Sequence, residues 1–451
     1  MKLSLISLGC SKNLVDSEYL LGALINKKGF EFTEVLEDAD LIIVNTCGFI
    51  GDAKEESIDT ILEMAELKKN KLKKLVVAGC LAQRYAEELM EEMPEVDAII
   101  GTGDIDKIEN IIDEIFEEQR VIENKSLDFL ANAYTERVLT TLPHTAYLKI
   151  AEGCDRKCTY CIIPKLRGKL RSRSIEDIVQ EAKHLASKGV RELNILAQET
   201  SEYGIDNYGE KALPKLLKEL AKVEGIEWIR NYYMFPNSVT DELIEVIRDT
   251  PKVCNYFDIS IQHVASNVLQ NMKRAKDATH IKEKLFKIRK EIPNVSIRTT
   301  VIVGFPGETE EDFLELKEFL EEFKFDYVGV FKYSREEDTE AFDLPNQVDE
   351  EIKERRYAEL VNLQSEIAER KNREFIGKEI EVMIDGVSSE SEFMLEGRTQ
   401  GQALEIDGKV LTNDGTAKPG EIVKVLIEQN FEYDLLGPII RNEDNWLWKW
   451  I

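Results

Sequence analysis

Three cysteines, Cys154, Cys158 and Cys161, stand in the run AEGCDRKCTYCIIP with the spacing C-x3-C-x2-C, directly after the apolar stretch Tyr147 to Ala151. A four-iron, four-sulfur cluster normally takes four thiolates, so a site offering three leaves one iron open to a small chelating ligand. Zinc is the competing reading, but it wants a fourth Cys or His, and His144 is the only close candidate. Three more cysteines, Cys10, Cys47 and Cys80, close the segments SLGC, VNTC and VAGC, each after a short apolar run. They lie 37 and 33 residues apart, and can converge where the strands they follow end side by side, since the carboxyl ends of parallel strands line one crevice. Cys254, in PKVCNYFDIS, has no cysteine neighbour and is expected to pack in a core. Seven cysteines in 451 residues do not make a disulfide-dense secreted chain, and a reducing cytoplasm fits better.

The elements that must carry these residues follow from hydrophobic periodicity. Strands at Leu3, Leu41 and Leu75 alternate with helices from about Leu14 to Lys28, from Ala53 and from Arg84, and a further apolar run covers Val96 to Ile100. Asn13, with Asp16 three residues later, offers a helix N-cap. This predicts a parallel sheet with helices on its faces, over residues 1–125. Glu117 to Pro143 lacks periodicity and reads as the passage into a second unit, 140–375. There six strand candidates alternate with helical patterns: Tyr147 to Ala151, Leu193 to Ala197, Trp228 to Met234, Tyr256 to Gln262, Ser296 to Val303 and Tyr327 to Tyr333. Six such units predict a partial (β/α)6, TIM-like barrel whose chemistry lies at the carboxyl ends of its strands. After a charged helix from Asp349 to Phe375, residues 376–441 alternate apolar and polar positions between glycine turns and predict a small antiparallel β-barrel. The terminal DNWLWKWI is expected to dock on the protein's own surface.

The composition bounds partners. No run of eighteen apolar residues occurs, and LSLISLGC lacks the basic leader and long apolar core of a lipoprotein signal. A formal net charge of −28 disfavours nonspecific attraction to nucleic acid phosphates. The basic run KLRGKLRSR, Lys165 to Arg173, could face an acidic substrate residue or RNA, or be a solvated loop.

The cysteine loop Cys154-Cys158-Cys161 resembles that of the radical S-adenosylmethionine (SAM) superfamily, in which SAM chelates the open iron and is cleaved to a 5'-deoxyadenosyl radical. With the N-terminal set and the C-terminal β-module in this order, the chain resembles the radical SAM methylthiotransferase family over essentially its whole length. The resemblance implies an N-terminal methylthiotransferase domain, a radical SAM domain and a TRAM domain. It also implies two 4Fe-4S clusters, an auxiliary one on Cys10, Cys47 and Cys80 and a SAM-cleaving one on Cys154, Cys158 and Cys161. Two SAM molecules are then used, one as methyl donor and one as radical source, to replace C–H by C–S–CH3, with electrons from a donor such as flavodoxin or ferredoxin. Tyr160 matches the aromatic position near the SAM adenine, and Gly304, in VIVGFPGETEEDF, lies in a stretch that approaches the nucleoside. Gln198, Gln262 and Arg298, placed at or near the carboxyl ends of barrel strands, are candidate SAM or substrate contacts.

Within the family, SLGCSKNLVDSE resembles the branch that modifies an aspartate of small-subunit ribosomal protein uS12 (RimO-type). In the transfer RNA branch (MiaB-type), the alternative function, Gln-Met-Asn usually follows the cysteine. AQETSEYG and IQHVASN lean the same way, with one departure: Ser260 stands where the branch commonly has proline. From Ile376 to Ile440 there are five basic and thirteen acidic residues, a sign suited to a basic ribosomal protein and not to RNA.

Overall fold

The computed structural model describes residues 1–440; the tryptophan-rich terminus expected to dock on the surface lies outside the described residues. The N-terminal unit runs β1 (Lys2–Ser7), α1 (Ser11–Gly22), β2 (Glu31–Phe32), β3 (Leu41–Thr46), α2 (Gly51–Glu66), β4 (Lys74–Gly79), α3 (Cys80–Arg84), α4 (Ala86–Glu92), β5 (Ala98–Ile100), α5 (Ile108–Phe116) and β6 (Val121–Glu123). All six strands are parallel, in the order β2-β1-β3-β4-β5-β6. Every residue of β3 and β4 is buried, as expected of central strands covered on both faces. Their side chains alternate between two cores: Leu41, Ile43, Val76 and Ala78 pack with α1 and α5, and Ile42, Val44, Leu75 and Val77 with α2 and α4. The chain therefore leaves β1 toward one face and β3 toward the other, which opens a crevice outside their carboxyl ends.

Two expectations are corrected here. Asn13 is not an N-cap: α1 begins at Ser11 behind Cys10. The buried Asn13 amide instead donates to the Leu8 and Thr46 carbonyls at 3.0 and 2.9 Å, fastening the loops after β1 and β3 together. The aperiodic segment after Glu117 also contributes a strand, β6, at the sheet edge, too short at three residues to show a period.

The central unit contains β7 (Thr145–Lys149), β8 (Ala151–Glu152), α6 (Ile163–Arg167), β9 (Arg171–Ser172), α7 (Ile175–Ser187), β10 (Glu192–Leu196), α8 (Ile205–Tyr208), α9 (Leu213–Leu220), β11 (Trp228–Asn231), α10 (Asp241–Asp249), β12 (Tyr256–Asp258), α11 (Ser266–Asn271), α12 (Thr279–Glu291), β13 (Ser296–Val303), α13 (Glu310–Phe323) and β14 (Tyr327–Lys332). Strands β7, β10 and β11 are parallel neighbours, as are β12, β13 and β14. Bridges Ile229/Val253 and Met234/Ile259 join the two groups, giving the expected open six-stranded barrel. Leu148, Leu193, Ile195, Ile229 and Val301 face the helices, while Tyr147, Trp228, Tyr232 and Tyr256 join a core shared with α1. Two strands end earlier than their apolar patterns predict, with left-handed backbone beyond them at Tyr233 (φ 56°) and Gln262 (φ 68°). Hydrophobic spacing carries no signal for that.

Helix α14 (Glu350–Arg373) leads to β15 (Glu379–Ser388), β16 (Ser391–Arg398), β17 (Val410–Thr412), β18 (Ile422–Leu426), β19 (Gln429–Asn430) and β20 (Leu435–Leu436). These form a curled sheet ordered β18-β15-β16-β17-β20-β19, antiparallel but for the parallel pair β17/β20. No helix among the described residues is long and apolar enough to cross a membrane.

Candidate functional site

The cysteine loop after β7 is held by backbone bonds from distant parts of the barrel. Cys154 N–H donates to the Gly168 carbonyl at 3.1 Å and Thr159 N–H to the Met272 carbonyl at 3.2 Å. Gly153, at φ 80°, is required: a Cβ there would lie 2.0 Å from the Lys169 carbonyl oxygen. Arg274 reaches in from beyond α11, with Nη1 3.8 Å from Cys158 Sγ and 3.0 Å from the Tyr160 hydroxyl. Burial pushes Cys154 up to about 11 and Cys161 up to about 12, so these thiols stay protonated until a cation takes the proton's place.

Cys10 and Cys47 follow β1 and β3 at the crevice, and Cys80 opens α3. Gly9, at φ 83°, lets the first two approach; a Cβ there would come within 2.8 Å of Cys47 Cβ. Burial pushes Cys47 up to about 12. Cys80 packs directly on Ile162 and Leu166, and Ile162 is the residue after Cys161. The short helix α6 thus runs from one cysteine set to the other and ends in Arg167, whose Nη2 stands 3.6 Å from Cys80 Sγ and 2.9 Å from Asn13 Oδ1.

Arg167 belongs to a buried charge network. Its Nη1 lies 2.5 Å from Asp16, and Lys149, at the end of β7, pairs with Asp16 and with Glu152 at 2.7 Å. Arg173 is equally buried and binds Asp177, Glu181 and the Lys149 carbonyl at 2.6–2.8 Å. The reading of the basic run from Lys165 to Arg173 is therefore corrected in part: Arg167 and Arg173 are neither solvated nor partner-facing, because both neutralise carboxylates buried between the N-terminal unit and the barrel, whereas Lys165 and Lys169 are exposed and Arg171 is half-buried. The acids that pair with them lie outside the run, so local sequence does not disclose it.

The other candidate residues separate. Gln198 donates to Glu152, and its Oε1 is buried without a partner, as is Oε1 of Gln262. Tyr160 lies edge-on to Phe305, ring centroids 6.4 Å apart. Gly304, at φ 73°, is constrained from behind, since a Cβ there would strike the Lys353 side chain. Its N–H is held by Glu308, which also takes His263 at 3.3 Å and Arg356 at 3.1 Å. Arg298 is a correction: it is the third residue of β13, toward the amino end, and its Nη1 pairs with Asp407 of the C-terminal sheet at 2.7 Å. An eight-residue strand spans roughly 26 Å, which removes Arg298 from the mouth. His144, the candidate fourth zinc ligand, likewise binds Asp385 of that sheet at 2.9 Å. Among the described residues no three His, Cys, Asp or Glu side chains gather around a single metal-ion position.

Sequence reasoning missed four residues at this end. Phe235 is flanked by the guanidinium carbons of Arg156 and Arg274, 4.0 and 4.1 Å from its ring centroid. Glu199, 3.7 Å from Arg156, is held by Ser201 and by the Phe235 N–H, and burial pushes its carboxyl up to about 6. Only Glu199, next to Gln198 in AQET, had a legible signal. The donor set fits an iron–sulfur cluster with a chelating cosubstrate: three thiols on one loop, two unpartnered amide oxygens and a buried glutamate paired with a half-buried arginine at the same strand ends.

Comparison with known proteins divides the chain in three. Residues 2–101 match a family described as Uncharacterized protein family UPF0004, 148–320 the Radical SAM superfamily and 376–440 the TRAM domain. A ribosomal protein uS12 methylthiotransferase RimO from Clostridioides difficile (strain 630) is 50% identical, covering 98% of this chain and 99% of its own length. The protein of the same name from Pelotomaculum thermopropionicum is 49% identical over 98% and 99%. Among solved structures, the radical SAM methyltransferase TsrM from Kitasatospora setae, with tryptophan substrate and a SAM analogue bound, superposes with a TM-score of 0.53 over 73% of this chain and 72% of that one. At 14% identity the likeness is one of fold.

Proposed function

The chain belongs to the family of ribosomal protein uS12 methylthiotransferases, sulfur-transferring radical SAM enzymes, and from that premise we propose that it methylthiolates the β-carbon of an aspartate in uS12. In this reading Cys154, Cys158 and Cys161 hold a SAM-cleaving 4Fe-4S cluster, and Cys10, Cys47 and Cys80 hold an auxiliary one. The observation that carries the two-cluster reading is the contact of Cys80 with Ile162 and Leu166, which brings the two sets together across one short helix. When bound, the groups supply a 5'-deoxyadenosyl radical from one SAM, a methyl group from a second, and sulfur from the auxiliary site. The protein's part is to bind, orient and exclude water.

Gln198 and Gln262 each offer an unpartnered carbonyl oxygen to SAM, and Tyr160, fixed by Arg274 and Phe305, offers a wall for its adenine. The Gly304 to Glu308 turn positions backbone beside the nucleoside. We assign three bodies, 1–125, 140–375 and 376–441, working in the cytoplasm with an electron donor such as flavodoxin or ferredoxin. The acidic C-terminal sheet supplies a field that attracts a basic ribosomal protein.

The test is anaerobic turnover of the reconstituted, reduced protein with SAM, offering uS12 and transfer RNA separately and reading methylthio addition by mass spectrometry. A uS12 product with 5'-deoxyadenosine is expected; modification of transfer RNA alone would overturn the substrate assignment. Cys158→Ala should abolish 5'-deoxyadenosine formation, while Cys47→Ala should retain it and lose methylthio transfer. Radical formation in Cys158→Ala equal to wild type would sink the cluster assignment.

A further inference from the structure

The chain beyond β11 runs from one cysteine set to the other. Phe235 carries Arg274, which reaches Cys158. Two residues earlier the Tyr233 ring carries the Lys12 ammonium 3.3 Å from its centroid. The Tyr233 hydroxyl stands 3.5 Å from Ser11 Oγ, and Ser11 and Lys12 directly follow Cys10. Tyr233 has φ 56°, a left-handed backbone that a bulky side chain adopts only where its surroundings impose it. Those surroundings are visible: its N–H is held by Asp258 Oδ2 at 3.1 Å and its carbonyl by Thr200 N–H at 3.0 Å. The ring is a fixed shelf, and the ammonium rests on it.

Lys12 is unusual for this chain. With 87 carboxylate side chains in the sequence, most cations of the barrel mouth have an acidic partner: Arg156 has Glu199 and Glu202, Arg167 has Asp16, and Lys149 has Asp16 and Glu152, whereas Arg274 spends its donors on Tyr160 and the Ser260 carbonyl. Among the described residues Lys12 forms an ion pair with no carboxylate; the charged or titratable groups facing it are Tyr233, which also takes a hydrogen bond from it, Cys10 and Asp258, the last already engaged by the Tyr233 N–H. An ammonium resting on a neutral phenol gains less than one in a charge-assisted hydrogen bond to a carboxylate, and the donors that Tyr233 does not take remain for a stronger acceptor.

We propose that Lys12 is the receptor for a carboxylate on the substrate protein. Its ammonium moves from the Tyr233 ring to pair with the side-chain carboxylate of the residue to be modified, presenting the adjacent carbon between the two cysteine sets. The inference rests on the uS12 reading above and deepens it, because it makes the acid, not merely the surrounding fold of uS12, the recognised feature.

The test compares binding of full-length uS12 with that of a uS12 whose modified aspartate, located by mass spectrometry after wild-type turnover, is replaced by asparagine. The reconstituted wild-type enzyme is expected to prefer the aspartate protein by at least about tenfold. Lys12→Met should bind both proteins alike, at the weaker level, with iron per chain unchanged, and Lys12→Arg should restore part of the preference. Undiminished preference in Lys12→Met, an equal fall for both proteins, or loss of iron with the charge would each overturn the inference; should the methionine variant fail to fold, Lys12→Gln carries the same expectations. Modification of transfer RNA and not uS12 by the wild type would remove the underlying reading and the inference together. That outcome is distinguishable from a wild type that modifies uS12 while Lys12 proves indifferent to the acid.

Discussion

Arg167 shows how much one side chain can decide when its donors are arranged as a fork. It meets Asp16, Asn13 and Cys80 at once, tying α1, the N-terminal cysteine set and the helix after Cys161 into one buried unit. A buried carboxylate stripped of its cation costs several kcal/mol. Lys149 still holds Asp16, so Arg167→Met should destabilise by about 3 kcal/mol, at the low end for breaking a buried pair. Arg167→Lys keeps the charge without the fork and should recover less than half of the loss. Anaerobic thermal unfolding with iron counted per chain measures both. A methionine variant as stable as the wild type would show that Lys149 alone compensates Asp16.

At the scale of elements, the parallel strands give the barrel two unlike ends. Their carboxyl ends carry the cysteine loop, Gln198 and the Phe235 segment, and their amino ends carry a seam with the C-terminal sheet. Glu192, first residue of β10, accepts Arg398 of β16 at 2.7 and 3.1 Å and Arg230 of β11 at 3.1 Å. Arg398 also holds Asp385, which holds His144. Burial works against the Glu192 charge, but Arg398 and Arg230 outweigh it and hold the carboxyl down at about 2. Because the folded value lies below the unfolded one, the stabilisation is complete above about pH 4.5 and lost as pH falls toward 2; it amounts to on the order of 3 kcal/mol. Thermal unfolding across that window should show a steep acid loss in the wild type and a shallower one in Glu192→Gln. Identical profiles would assign the acid sensitivity elsewhere.

For the whole molecule, the formal charge of −28 sets the terms of encounter. The C-terminal sheet closes the amino ends of the strands, so under the proposed function its acids would act on a basic partner through the long-range field and not by contact at the cysteine end. Association with uS12 should therefore slow steeply as ionic strength rises through the range where the screening length falls from about 30 to about 8 Å, whereas transfer RNA should bind no better at low salt; stopped-flow fluorescence would decide. A salt-independent uS12 rate would leave the acidic surface as a solubility device. The chain's order of units and its two sets of three cysteines were legible in the sequence, because strand periodicity and short-range spacing are local properties. Local pattern could also mark the cysteine ends of β1, β3 and β7, since each thiol directly follows its apolar run. It could not mark Arg167, Arg298, Lys12 or Tyr233, whose partners Asp16, Asp407 and Asp258 lie far away in the chain or whose backbone turns left-handed under distant constraint. Sequence by itself determined most of the elements and where thiols end them; only the tertiary structure decided which charges are buried together and that Lys12 rests on a tyrosine ring and not on a carboxylate, because burial and pairing depend on side chains that meet in space and not along the chain.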